Sequence, residues 1–312
     1  MRNRLALLAA LGLITALQPL VAGQRAPFAS PPAGSGPTPM RPYAQSGGCS
    51  EEPAAFHRCA LEKMKTFNPP RTPDGKPDFG GFWNRIVVRN MENIEEHPQT
   101  MDTSGGTSAI IDPADGKIPA LTAEGKARVG PRVRSSFVGG PFDSPLDFNP
   151  LERCISRGLP GSMIPVMYGN VYQIAQSPGY VVITYEIVHE ARVIPLDGRS
   201  HVGGAIQEHM GDARGHWDGN TLVVETTNFT TLTVYRNANP ARLKITERFT
   251  PIARDRIAWT ATMDDPTTWA SPWTIAMPLT LDPQPAMAFE CHEGNYGIRN
   301  ILSGARSAEQ KH

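Results

Sequence analysis

Six side chains combine the types needed to move protons near neutral pH: His189, Glu247, Glu290, His292, Tyr185 and Tyr296. Imidazole beside carboxylate is a natural acid–base set, because environment can bring both groups into the working range. Glu290, His292 and Tyr296 crowd with Asn295 into one run, Glu290-Cys-His-Glu-Gly-Asn-Tyr296. Tyr185 and His189 fall in an apolar run over residues 180–190, and Glu247 in another over 243–249. Strand alternation decides which way such side chains face. It places Val181, Ile183, Tyr185, Ile187 and His189 on one apolar face. It places Glu247 with Leu243, Ile245 and Phe249, opposite Lys244, Thr246 and Arg248. An inward carboxylate needs a partner or a raised pKa, which makes Glu247 a site candidate. A structural ion pair with Arg192 or Arg256 is the competing reading. If a strand over 287–291 continues, Glu290 and His292 share a face and Cys291 takes the other. Arg192, Asn295 and Trp217 complete the set as substrate contacts. Arg192 could steady an enolate or carboxylate. Trp217 could stack on a sugar or arene, although a tryptophan at a strand edge usually closes a core.

Other chemistries lack their residues. His201, Glu208, His209 and Asp212 offer nitrogen and oxygen ligands, but at no helical His-x-x-x-His spacing, and no Cys-x-x-Cys occurs. Scattered loop histidines are more often surface groups, so no metal is expected. Asp197 with Arg199, and Asp212 with Arg214, read as ion pairs that hold the 197–214 loop as a rim or lid. Phosphate loops, nucleophile elbows and Gly-x-Gly-x-x-Gly are absent, so no organic cofactor is expected either. The formal net charge is +0. That balance does not favour nucleic acid or an anionic membrane surface.

The elements that must position these groups are mostly strands. The chain has 312 residues, 40% of them hydrophobic, with 30 prolines and 29 glycines. Short Val/Ile/Thr/aromatic runs at 171–176, 180–190, 221–227, 243–250, 256–263, 273–281 and 287–291 alternate with turn residues. The pattern predicts a mainly β domain, an antiparallel meander forming a lipocalin-like (calycin-like) barrel or curved sheet. The alternative is a two-sheet β-sandwich. Helices are expected at 51–67, with Ala55, Cys59, Leu61 and Met64 as its buried stripe, and at 121–128, with Thr122 as N-cap. Residues 1–23 read as a cleaved signal peptide: a basic start, an apolar stretch and small residues at Val21-Ala-Gly23. Residues 24–48 form a disordered Pro/Gly-rich tether, and 49–312 a single β-rich domain. The mature chain is then periplasmic or secreted, with no membrane segment after cleavage. Four cysteines in an exported chain allow two disulfides. Cys49–Cys59 with Cys154–Cys291 is the simplest pairing, and two other connectivities stay open.

Several segments together carry a resemblance. Thr72-Pro-Asp-Gly-Lys-Pro-Asp-Phe-Gly-Gly-Phe-Trp83 is followed by Arg153-Cys-Ile-Ser-Arg-Gly-Leu-Pro-Gly161 and Pro195-Leu-Asp-Gly-Arg-Ser-His201. Gly211-Asp-Ala-Arg-Gly-His-Trp217, continuing to Phe229, and the Glu290–Tyr296 run complete the series. This chain resembles a large group of exported bacterial proteins, mostly uncharacterised, that share these motifs after about the first seventy residues. The resemblance implies export and leaves the activity to be read from the residues. Two readings follow. One is a cofactor-independent acid–base enzyme (lyase, isomerase or hydrolase) acting on a small sugar-derived or aromatic molecule in a barrel pocket. His189 or His292 would be the base, Glu247 or Glu290 its orienting partner or the acid, and Tyr185 or Tyr296 a proton donor. The other is a lipocalin-like binding protein holding a small apolar ligand. The expected partner is therefore a small molecule in either case.

Overall fold

A computed structural model describes residues 45–85, 88–90, 93–98, 105–129, 142–166, 168–231 and 235–310. The expected signal peptide and nearly all of the tether lie outside these residues. Two short strands, β1 (Gln45–Ser46) and β2 (Cys49–Ser50), pair across Gly47 and Gly48, both at positive φ. Helix α1 (Pro53–Met64) follows. Glu52 caps it by accepting the backbone N–H groups of Ala54 and Ala55, and proline suits its first turn. Its buried residues are Pro53, Phe56 and Ala60, while Leu61 is exposed. The stripe is thus rotated from the expected one, because the Cys49–Cys59 disulfide holds Cys59 at the edge and Phe56 takes the centre. Phe56 and Ala60 rest on Ile252 and Ala258, on the outside of the main sheet.

That sheet has ten strands: β3 (Gly81–Asn84), β4 (Ile110–Asp112), β5 (Val171–Ser177), β6 (Tyr180–Tyr185), β7 (Ala191–Pro195), β8 (Asp212–Asp218), β9 (Thr221–Thr227), β10 (Lys244–Ala253), β11 (Arg256–Asp264) and β12 (Trp273–Asp282). The order is β7-β6-β5-β3-β12-β11-β10-β9-β8, with β4 also on β12, and every pairing is antiparallel. Two meanders are therefore bridged by β3. The two ends of the order, β7 and β8, approach each other. At Gly215 of β8 a Cβ would lie 2.7 Å from the side chains of both Ile194 and Leu196. The sheet rolls up, and side-chain packing closes its seam. This is the expected mainly β barrel or curved sheet, built from one rolled sheet rather than two stacked ones.

Alternation fills the inside. Ile257, Trp259, Ala261 and Met263 of β11 are fully buried, as are Trp273, Ile275 and Leu279 of β12. Each buried large apolar side chain contributes about 1.5–3 kcal/mol relative to exposure, so this interior dominates stability. It is also why the interior is packed solid. Helix α2 (Ala123–Ala127) has Thr122 as N-cap, as expected, and docks on the 265–269 loop. Gly125 permits the contact, since a Cβ there would meet the Thr268 carbonyl at 2.4 Å.

The C-terminal region departs from expectation. No strand forms over 287–291: β12 ends at Asp282, a loop follows, and a further helix, α4 (Gly297–Glu309), ends the described chain; a four-residue α3 spans Gly158–Gly161. Both disulfides are Cys49–Cys59 and Cys154–Cys291, and no described cysteine is free. Two disulfides are consistent with folding outside the reducing cytosol. No described helix is long and apolar enough to cross a membrane.

Candidate functional site

Glu247 points inward, as alternation requires, and it is 1% exposed. It meets Arg192 of β7 across the barrel in a two-pronged pair: Nη1 on Oε2, and Nη2 on Oε1 at 2.9 Å. The Trp259 indole N–H donates to Oε1 at 3.0 Å. Burial alone would lower the Arg192 pKa, but Glu247 more than offsets it and holds the guanidinium above its ordinary value. Burial pushes the Tyr172 and Tyr185 hydroxyls up, against the pull of Arg85 and Arg192, so both stay neutral. Neither cavity described below is lined by Glu247 or Arg192. The carboxyl group is paired, hydrogen-bonded and sealed. This is the arrangement of a structural ion pair.

His189 does not sit at the end of an apolar face. The β6 strand stops at Tyr185, which pairs with Tyr172, and β5 begins one residue earlier, at Val171. Glu186 still donates its N–H to the Val171 carbonyl at 3.0 Å, but residues 187–190 have no further strand to pair with and form the hairpin loop back to Ala191. Val188 and His189 adopt φ of 57° and 52°, and the Tyr185 N–H closes the loop on the Glu190 carbonyl. His189 is exposed there, and its Nε2 accepts the Phe289 N–H at 3.2 Å. Glu290, His292, Asn295 and Tyr296 are exposed too, in a loop, so the shared strand face for Glu290 and His292 does not exist. Asn295 donates to Cys154 Sγ at 3.4 Å. His189 and the C-terminal run therefore meet at the surface, while Glu247 lies inside. The proposed acid–base set does not converge on one cavity.

The 197–214 loop is held by ion pairs as expected. Arg199 pairs with Asp197, and Arg214 with Asp212 at 2.5 Å. Asp212 also takes His201 Nδ1 at 2.8 Å and the Val202 N–H at 3.0 Å. Among the described residues no group of three or more His, Cys, Asp or Glu could hold a metal ion. Sequence reasoning missed one contact: His209 Nε2 lies 2.9 Å from Ser156 Oγ, 3.0 Å from the Ser156 carbonyl and 3.8 Å from Glu190. The Ser156 carbonyl can only accept, so the contact calls for a proton on Nε2, and the histidine clamps Ser156.

Among the described residues, a groove of about 290 Å³ is large enough for a small ligand. It lies at the barrel end where the β5–β6 and β8–β9 hairpins turn. Its wall comes from Tyr180, Leu196 and Trp217, and from the 72–76 turn with Asp74 and Lys76. That turn is rigid. Thr72 N–H donates to the Lys76 carbonyl at 2.9 Å, and Gly75 closes it at φ 80°. Arg71 ties it to Asn220 at 2.7 Å, and Gln176 braces it through the Phe79 N–H and the Pro77 carbonyl. Trp217 leans on Phe79 with ring centroids 5.3 Å apart. Its indole N–H is buried with no hydrogen-bond partner. Tyr180 is partly exposed, and its hydroxyl accepts from Arg199 at 3.2 Å. Trp217 was legible as a binding candidate. Asp74, Lys76 and Tyr180 were not, since Pro-Asp-Gly reads only as a turn; its place within a specific motif was the available signal. Fold and groove together define an antiparallel barrel with a ligand-sized recess at one end. The chain matches no protein-family profile, no curated protein and no solved structure.

Proposed function

We propose that this protein is an exported, periplasmic or secreted member of the motif-sharing bacterial group, and that it binds a small sugar-derived or aromatic ring in the Trp217 groove. The carrying observation is the groove itself, about 290 Å³, in which Trp217 and Tyr180 stand beside Asp74 and Lys76. The setting fits a polar ring: an aromatic wall, with one carboxylate and one ammonium group nearby. An apolar cargo inside the barrel is not supported, because side chains fill that space. A second reading keeps acid–base chemistry on the same molecules. What favours it is that Asp74 and Lys76 both line this groove.

The test screens monosaccharides, uronic acids and small aromatic acids by tryptophan fluorescence and calorimetry. Trp217→Ala should weaken a hit by up to about tenfold, as loss of one aromatic contact implies. Absence of any hit, or wild-type affinity in both Trp217→Ala and Lys76→Ala, would sink the binding reading. Product analysis of each hit decides the second reading, which fails if every hit is returned unchanged.

A further inference from the structure

The opposite end of the barrel carries a different feature. Where β5 begins and β6 ends, two arginines, Arg85 and Arg157, line one small cavity of about 10 Å³. Tyr185, Ile187 and Gly169 form other parts of its wall. The wall is close-built. A Cβ on Gly169 would lie 2.3 Å from Ile187, and one on Gly161 would lie 2.9 Å from that of Arg157.

Charge is out of balance here. Arg85 is 4% exposed and spends its donors on the carbonyls of Ser162, Ile164, Gly169 and Asn170. Carbonyls satisfy hydrogen bonds but bring no counter-charge. Arg157 reaches the Ile164 carbonyl at 3.4 Å. Neither guanidinium forms an ion pair with a described carboxylate. The nearby Glu186 is buried, and its oxygens accept the N–H groups of Val171 at 3.0 Å and Met287 at 3.3 Å. Among the described residues two cations stand against one carboxylate, an excess of one positive charge beside the cavity, with Arg85 buried and Arg157 half-buried. Burial brings the Arg85 pKa down to about 10, with Arg157 adding to the fall, and burial lowers Arg157 as well. The Tyr185 hydroxyl, on a side chain 3% exposed, has Arg192 as its hydrogen-bonding neighbour, a donor that leaves the O–H without an acceptor among the described residues. A buried excess cation calls for an anion, and an orphaned hydroxyl for an acceptor.

We propose that this cavity is an anion site, taking one halide ion against Arg85, Arg157 and Tyr185. Its volume is close to that of a single water, which excludes phosphate and sulfate. The inference is independent of the Trp217 groove and survives if that reading fails.

The experiment uses the full chain dialysed into sodium gluconate. Thermal unfolding is followed as bromide, or separately formate, replaces gluconate at constant ionic strength. A saturable rise in Tm is expected, with half-saturation at least tenfold weaker in Arg157→Met. Arg157→Lys, which keeps the charge, should fall between, and it serves if Arg157→Met does not fold. A rise with bromide and none with formate is expected, and a formate response equal to that of bromide would overturn the assignment. Crystals soaked in bromide should show anomalous density in the cavity. No saturable rise with either salt, an unchanged response in both Arg157 variants, or bromide found only on the outer surface would overturn the proposal.

Discussion

Removing one half of the buried Arg192–Glu247 pair tests most directly what the inward carboxylate is for. Glu247→Gln keeps the shape and leaves a guanidinium buried with no counter-charge. Arg192→Met leaves a carboxylate supported only by the Trp259 N–H. Both residues are almost wholly buried, so solvent cannot rescue either orphan. Breaking such a pair costs about 3–5 kcal/mol. Arg192→Met with Glu247→Leu removes both charges and fills the space with apolar atoms. Its remaining cost is the unpartnered Trp259 N–H, about 1–3 kcal/mol. The double variant should therefore be more stable than either single one by about 2 kcal/mol, a strong coupling between the two sites. Urea unfolding followed by tryptophan fluorescence and by circular dichroism measures all four corners of the cycle. If Glu247→Gln unfolds within about 0.5 kcal/mol of the wild type, the pair is not structural in the sense argued. If it also abolishes turnover of a groove ligand, Glu247 returns as a catalytic candidate.

Three further outcomes follow from the packing. Asp265 accepts the N–H groups of Asn239 at 2.6 Å and Thr267 at 3.0 Å, and the hydroxyls of Thr267 and Thr268. Burial raises its pKa, but these bonds outweigh burial and hold it below the ordinary 3.8. A depressed folded value gives stability that is present above the unfolded pKa and lost as pH falls through the folded one. Asp265→Asn should thus flatten the loss of urea stability between about pH 5 and pH 2, and an unchanged slope would contradict this. Gly125→Ala, a change that stabilises most exposed helices, should here destabilise by about 1–3 kcal/mol, because the Thr268 backbone blocks the methyl group; a higher Tm would refute the contact. Opening Cys154–Cys291, whose cysteines are 137 residues apart, should cost more than opening Cys49–Cys59, 10 apart. Loop entropy sets ceilings of about 5 and 3 kcal/mol, to be read from the urea midpoints of the two Cys→Ser pairs.

What the sequence determined by itself was local and periodic. Alternation placed Glu247 inside because Ile245 and Phe249 bury on the same face of β10, whatever the strand pairs with. The Thr122 cap was also legible, and so were the ion pairs of the 197–214 loop, while the observed Cys pairing was the simplest of three that the sequence left open. Alternation could not say where a strand stops, since that depends on a neighbour. β6 ends at Tyr185 because β5 begins at Val171, and this alone moved His189 from a buried face to an exposed hairpin. The same limit undid the strand at 287–291, which finds no edge to join, and with it the common face of Glu290 and His292. Only the rolled sheet decided what meets what. It set Arg192 of β7 against Glu247 of β10, far apart in the strand order, and brought the 72–76 turn beside Trp217. It also left Arg85 and Arg157 together without a paired carboxylate among the described residues. Such contacts arise from closing a barrel, and closure is a property of the whole sheet that no single strand encodes.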